Sequence, residues 1–281
     1  MKKVKINAKA KINLTLDVLG VTGGYHDIKS LVTSIDLCDE IIVSARKDDK
    51  INLVMSGLPV WCDVCDNNAF KAAVKFKEKF STCGVDITIK KNIPVGAGLG
   101  GSSADVAGVL NAMKTLFKID GDVSSIASEM GSDCNFLLEG GYAVITGRGE
   151  KVSKKRFDKD LFFLIIEGDV QISARQSYKV FDKQQKLYKP CTMAAVRAFE
   201  DGDMVKFMSV AKNDLYNASK TFSESISGSI FALKTVGAPI ALMTGSGSAV
   251  FGAFGSARDR NKAYKILKPL FKEKLLKAQT I

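Results

Sequence analysis

The chain carries a single histidine, His26, among 281 residues. Its six cysteines, Cys38, Cys62, Cys65, Cys83, Cys134 and Cys191, supply one C-x-x-C, at Cys62 and Cys65, and no second pair. Structural zinc takes four such ligands at set spacings, so no metal site is expected. Nowhere do about 18 apolar residues run uninterrupted, the length a bilayer span needs, and no charged leader precedes an apolar stretch. The expectation is a cytoplasmic enzyme or binding protein with reduced thiols and no membrane partner. No repeat of solenoid period occurs. Aromatic residues make up only 8%, and they are not interleaved with basic ones as in single-strand nucleic-acid platforms, so no nucleic-acid partner is expected.

What the chain does have is a positive surplus, +11 at pH 7, and 46% hydrophobic residues. Its length exceeds a usual single core, so two packed units are expected. The charge suits nucleic acid, an anionic membrane surface or a polyphosphate ligand, and by itself does not choose among them.

Strand and helix patterns are mixed along the chain. The stretch "KINLTLDVLG" alternates, with Ile12, Leu14 and Leu16 on one face and Lys11, Asn13 and Thr15 on the other. Alternation alone expects the second face to meet solvent. A glycine-rich turn at "GVTGGYH", further β structure over "SLVTSIDLCDEIIVSARKDDKINLVMSG", a helix over "NNAFKAAVKFKEKF" and a strand over "GVDITIKKNI" follow. Next come a glycine loop, the helix "SADVAGVLNAMKTLF", a second helix from Val123 to Met130, and a strand pair within "GSDCNFLLEGGYAVITGRGEKV". The lysine-rich "KKRFDKD" from Lys154 is expected as a solvated turn and as the boundary between domains 1–154 and 155–281. Beyond it are a strand at "LFFLIIEG", helices around "MAAVRAFEDGDMVKFMSVAKNDL", two apolar strands joined by glycines in "ALMTGSGSAVFGAF", and a basic amphipathic helix near "RNKAYKILKPLFKEKLLKA".

The loop "NIPVGAGLGGSSADVAG" invites a phosphate reading. Gly96, Gly98 and Gly101 spell G-x-G-x-x-G, with Asp120 about 20 residues on. A dinucleotide fold would put the first glycine directly after the strand, whereas Asn92, Ile93 and Pro94 intervene, and the flanking elements lack the regular strand and helix alternation of a doubly wound sheet. No Gly-Lys-Ser/Thr follows, which excludes a Walker A loop. What remains is a glycine segment that lets backbone amides approach an anion and delivers Ser102 and Ser103 to a helix start, where free amides and the dipole favour phosphate. The plainer alternative is a helix capped by Ser102 or Ser103.

Three stretches, "AKAKINL", "PVGAGLGGSSAD" and "MTGSGSAVFGAF", occur in an order that resembles the superfamily of galactokinase, homoserine kinase, mevalonate kinase and phosphomevalonate kinase. "AKINL" followed by "GGYH", then "NNAFKAA", "GSDCNF" and "NDL" near Asn213, narrow the resemblance to the family that phosphorylates 4-diphosphocytidyl-2-C-methyl-D-erythritol. It runs from about Ala8 to Phe254. The resemblance implies an α+β fold with an N-terminal domain like the second domain of ribosomal protein S5, a ferredoxin-like C-terminal domain, and ligands meeting in the cleft between them. It implies a small-molecule kinase that uses ATP and Mg²⁺ on the 2-hydroxyl of that cytidine diphosphate methylerythritol, in non-mevalonate isoprenoid precursor biosynthesis. Monomer and homodimer both stay open.

By the same resemblance Asp133 is the catalytic aspartate that accepts the hydroxyl proton, and Lys11 is the catalytic lysine. Taken alone, an aspartate after Gly-Ser reads as a turn or cap. Asn13 shares the strand face of Lys11 and is matched to the methylerythritol hydroxyls. Tyr25 and His26 are matched to cytosine stacking and cytosine hydrogen bonding. The nucleotide side is matched to Asn67, to Pro94, Gly96, Gly98, Gly100, Gly101, Ser102 and Ser103 of the phosphate loop, and to Gly245, Ser246 and Gly247 of the closing turn, whose plainer reading is a tight hairpin.

The spelling departs from the family at Lys9, Gly23, Ser102, Ala104, Cys134 and Asn135, while Asp105 keeps its place; no departure removes a reacting group. Two alternatives accompany the main reading: a kinase of the same superfamily acting on another small alcohol, and a non-catalytic basic protein that binds nucleic acid on an S5-like fold.

Overall fold

The computed structural model describes residues 2–184 and 189–281. Its elements begin with β1 (Lys3–Asn13), β2 (Asp17–Thr22), β3 (Tyr25–Ala45) and β4 (Ile51–Gly57), then α1 (Asn68–Phe80), β5 (Val85–Lys91), α2 (Gly101–Phe117), α3 (Ser124–Met130) and α4 (Cys134–Glu139). β6 (Tyr142–Gly147), β7 (Lys151–Lys155) and β8 (Phe162–Ile166) follow, then α5 (Ala174–Phe181), α6 (Thr192–Glu200), α7 (Met204–Val210), α8 (Tyr216–Ser219) and α9 (Ser225–Thr235). The described chain closes with β9 (Ile240–Met243), β10 (Val250–Phe254), α10 (Ala257–Phe271) and β11 (Leu275–Gln279).

Two compact units form, each from segments far apart in sequence. The first takes the chain through Ala10, Leu37–Val95 and Gly100–Gly140; the second takes Lys11–Asp36, Gly96–Leu99 and Gly141–Ile281. Residue 154, where a boundary is expected from the lysine-rich run, lies within β7.

In the first unit β5 runs antiparallel to the C-terminal half of β3, Glu40 facing Lys90 and Ala45 facing Val85, and parallel to β4. Ile41, Val43, Ile87 and Ile89 alternate into the core, as a half-buried sheet requires. Against it lies α2, whose small residues allow close approach. A Cβ at Gly108 would stand 2.5 Å from Ile41 Cδ1 and 2.9 Å from Ala8 Cβ, so helix and sheet meet there without room for a side chain. The α1 stripe of Ala69, Ala72, Ala73 and Phe76 is buried at helical spacing, with Asn67 as its cap.

In the second unit the N-terminal half of β3 pairs with β2 through the tight turn at Gly23 and Gly24, and with β6, which pairs in turn with β7. A separate antiparallel sheet has the order β11-β8-β10-β9. With α9 before β9 and α10 between β10 and β11, and with Leu233, Ala263 and Leu267 in one core with Leu164 and Val250, this is the ferredoxin-like βαββαβ connection.

Four expectations change. The face bearing Lys11, Asn13 and Thr15 does not meet solvent: all three are buried, because tertiary packing covers both sides of this segment. The stretch at "GSDCNFLLEGG" holds the short helix α4 as well as leading into the strand pair. The C-terminal helix stops at Phe271, and Leu275 and Ala278 instead pair with β8, where burial of their side chains outweighs helical periodicity. Neither Ser102 nor Ser103 caps α2; the N-cap is Gly100, at φ +75°.

Gly108→Val places a branched side chain into the α2–sheet contact. Overpacking of this kind costs about 1–3 kcal/mol, and thermal unfolding followed by circular dichroism is expected to show a lower midpoint than the wild type.

Candidate functional site

In the first unit Gly100, Gly101, Ser102 and Ser103, four of the residues expected at the phosphate loop, form the start of α2. Gly100 holds a left-handed conformation open to glycine and lacks a side chain to cap the helix, so no capping side chain occupies the leading amides of this 17-residue helix. Such an end attracts anions through its amides and its dipole. Pro94 is buried beneath the turn. On the helix's first turn, Ser102 Oγ lies 3.4 Å from Asn68 Nδ2, which also reaches Met130 O at 3.5 Å.

Ser103 turns to the segment that carries Asp133. A Cβ at Gly131 would lie 3.2 Å from both Ser103 Oγ and Cys134 Sγ, so the hydroxyl, the thiol and the turn pack without slack. Burial pushes the Cys134 thiol up to about 12, with the hydrogen bond from Ser103 opposing that shift. Asp133 occupies the N-cap position of α4, yet its side chain makes no capping hydrogen bond. Asn67 does cap: its Oδ1 accepts from Ala69 N at 2.9 Å and Phe70 N at 3.4 Å, while Nδ2 faces Met55 Sδ at 3.2 Å.

In the second unit, parts of all three motifs come together. Lys11 is 4% exposed, and its Nζ donates to Asn13 Oδ1 at 2.5 Å. Its backbone N–H donates to Leu99 O at 3.0 Å, which ties β1 to the glycine loop. A Cβ at Gly245 would lie 2.9 Å from Gly98 O and 3.2 Å from Lys11 Nζ, so the closing turn rests on both. Gly98, at φ +78°, has no space for a side chain either, since one would run into Thr244 O. Asn13 is 3% exposed, donates from its backbone N–H to Thr244 Oγ1 at 3.0 Å, and donates from Nδ2 to Ser30 Oγ at 2.8 Å. Gly96 O accepts from Ile172 N, Ser246 Oγ donates to Ile172 O, and Gly247 N donates to Thr244 O at 3.0 Å.

Tyr25 and His26 begin β3 in the same unit. The Tyr25 ring is 58% exposed and lies 4.8 Å from the Arg148 guanidinium. His26 is more confined. Its ring stacks on Tyr178 with centroids 4.3 Å apart and planes at 12°, Phe181 meets its edge, and its Nε2 lies 2.9 Å from Asp182 Oδ1.

Tyr178, Asp182 and Arg148 are absent from the sequence-derived set, as is Asn213 as a structural support. Asn213 Nδ2 donates to Met243 O at 2.8 Å and to Gly245 O at 2.9 Å, and its Oδ1 accepts from Leu215 N, so it holds the closing turn. Ser173 and Gln176 form a capping box, and that S-x-x-Q signal could have revealed α5 and the aromatic face it presents to His26. Among the described residues no group of three or more His, Cys, Asp or Glu side chains could hold a metal ion.

Comparison with known proteins agrees with these motifs. Residues 67–143 match the family model described as the GHMP kinases N terminal domain. A 4-diphosphocytidyl-2-C-methyl-D-erythritol kinase from Clostridium beijerinckii is 34% identical over 96% of this chain and 98% of its own length. One from Caldicellulosiruptor saccharolyticus is 36% identical, with 96% and 95% covered. Among solved structures, a 4-(cytidine 5'-diphospho)-2C-methyl-D-erythritol kinase superposes with a TM-score of 0.83 at 24% identity, covering 98% of each chain. A homoserine kinase from Cytophaga hutchinsonii reaches 0.75 at 18% identity, covering 100% of this chain and 95% of that one. These two show a shared fold.

The packing around Ser103 has a chemical readout. Burial pushes the thiols of Cys134 and Cys191 up to about 12, whereas Cys62 and Cys65 are exposed. Iodoacetamide at pH 8 is expected to alkylate Cys62 and Cys65 in the native protein and to spare Cys134 and Cys191 until denaturant is added. Peptide mass mapping reads the order, and early labelling of Cys134 would contradict its place against Ser103.

Proposed function

Because the chain belongs to the 4-diphosphocytidyl-2-C-methyl-D-erythritol kinase family, we propose that it transfers the γ-phosphoryl group of ATP to the 2-hydroxyl of 4-diphosphocytidyl-2-C-methyl-D-erythritol. The observation that carries this reading is the burial of Lys11 beside Asn13 and against Gly245. A lysine taken out of water in a strand otherwise rich in exposed lysines has a use beyond solubility.

In the reaction the hydroxyl oxygen forms a bond to the γ-phosphorus, the bond to the β–γ bridging oxygen breaks, and ADP leaves. The alcohol proton goes to the Asp133 carboxylate. Lys11 stabilises negative charge as it develops on the transferring group. Asn13 orients the methylerythritol hydroxyls. Tyr25 supplies a face for the cytosine, and His26 hydrogen-bonds it; since Asp182 engages Nε2, base recognition in this arrangement falls to Nδ1.

The nucleotide phosphates lie on the amides of Gly100, Gly101, Ser102 and Ser103, with Gly96, Gly98, Gly245, Ser246 and Gly247 shaping the loop and its closing turn, and with Pro94 and Asn67 on the nucleotide side. A Mg²⁺ ion carried by the triphosphate keeps most of its ligands from water and phosphate, which fits a site offering serine hydroxyls instead of a carboxylate cage. Ser102 and Ser103 would supply the protein oxygens, and the ion would neutralise phosphate charge. The setting of the reaction is the cytoplasm.

Substrate-dependent ATP consumption tests the assignment. Asp133→Asn keeps the shape and removes the base, and is expected to lower kcat by about 10²–10⁴-fold. His26→Ala is expected to raise KM for the cytidine substrate about tenfold, the loss of roughly one good hydrogen bond, with a smaller change in kcat. A folded wild-type protein that binds ATP without turning over this substrate would overturn the substrate; turnover of other small alcohols would then identify the true acceptor.

A further inference from the structure

We propose that Asp39, Lys91 and Asp105 are positioning residues for the phosphate-binding turn, joining the end of β5, the backbone at Asn92 and Ile93 and the first turns of α2. The inference deepens the nucleotide reading of that turn and rests on it.

The three side chains form a buried cluster: Lys91 is 3% exposed, Asp39 0% and Asp105 5%. Lys91 Nζ donates to Asp39 Oδ2 and, at 2.6 Å, to Asp105 Oδ2. Asp39 Oδ1 then accepts the backbone N–H of Asn92 at 2.6 Å and of Ile93 at 2.9 Å, the residues that lead from β5 into Pro94. Asn92 Nδ2 closes the turn onto Cys38 O at 2.9 Å. On the helix side, a Cβ at Gly101 would lie 3.2 Å from Ile93 Cγ2 and 3.6 Å from Lys91 Nζ. One cluster therefore sets both the approach to the loop and the first residue of α2.

Two carboxylates face one ammonium, and Asp105 Oδ1 is buried with no hydrogen-bond partner. An ionised carboxylate with an orphaned oxygen in such a place is costly. Lys91 on β5 and Asp39 on β3 face Asp105, so one buried ionic cluster fastens α2 to the strand and turn that lead into the loop. Loosening that cluster is expected to weaken nucleotide binding more than the chemical step.

The test is calorimetric Kd for ATP, with KM, kcat and melting temperature beside it. Asp39→Asn weakens the acceptor of both turn amides and is expected to raise Kd and KM for ATP about tenfold, with a smaller change in kcat. Asp105→Asn loosens the tie from Lys91 to α2 and is expected to move Kd in the same direction. A variant whose melting temperature falls while Kd stays fixed overturns the inference alone. If Asp39→Asn does not fold, Asp105→Asn decides by the same comparison. A wild type that binds no ATP sinks the nucleotide reading and this inference with it.

Discussion

Taking a lysine ammonium out of water costs several kcal/mol unless protein groups replace the solvent. The chain does so twice among its described residues, at Lys11 and Lys91, and each buried lysine sits against a glycine of the candidate site. Lys91 is held by two carboxylates and organises the turn that enters α2. Lys11 is held partly by the amide oxygen of Asn13 and lies beside Gly245. A Cβ at Gly245 would crowd Gly98 O and Lys11 Nζ, and one at Gly101 would press on Ile93 and touch Lys91 Nζ.

The local elements of the candidate site were more legible in the sequence than its supports. The glycine loop, the helix that follows it and the closing turn are local patterns, and local patterns survive translation into structure. Lys11 shows where a local rule fails. Alternation assigns it to a polar, solvent-facing side, but Lys11, Asn13, Thr15 and Asp17 are all buried because other segments cover that side. Asp17 illustrates what covers it: its carboxylate accepts the backbone N–H groups of Cys191 and Thr192 at the start of α6, about 175 residues later. No window of neighbouring residues contains that partner.

The same reason hides Tyr178 and Asp182 beside His26, and Asp39 and Asp105 around Lys91. Each is one ordinary residue in its own helix or strand, given a role only by a residue distant in sequence. The end of α10 fails differently. Helical periodicity continues past Phe271, but the edge of β8 offers paired hydrogen bonds and burial for Leu275 and Ala278, and tertiary pairing outweighs weak propensity. Charge was the least specific signal. A surplus of +11 suited a nucleic-acid binder as well as a kinase of anionic substrates, and membership of the kinase family, resting on relatives that cover nearly the whole chain, sets the former aside.

The N-terminus of α2 shows how such a site trades stability for availability. Serine, aspartate or asparagine at an N-cap stabilises a helix by about 1 kcal/mol relative to alanine, because the side chain occupies an amide that would otherwise go unpaired. Gly100 gives up about a few tenths of a kcal/mol of that contribution, and its left-handed backbone would strain any residue with a Cβ. A capping oxygen there would occupy the amides a phosphate needs. The helix is secured elsewhere: by the close contact of Gly108 with Ile41 and Ala8, by the small-residue face of α1, and by Asp105 in its second turn bound to Lys91. Packing along the body of α2 lets its first turn remain open.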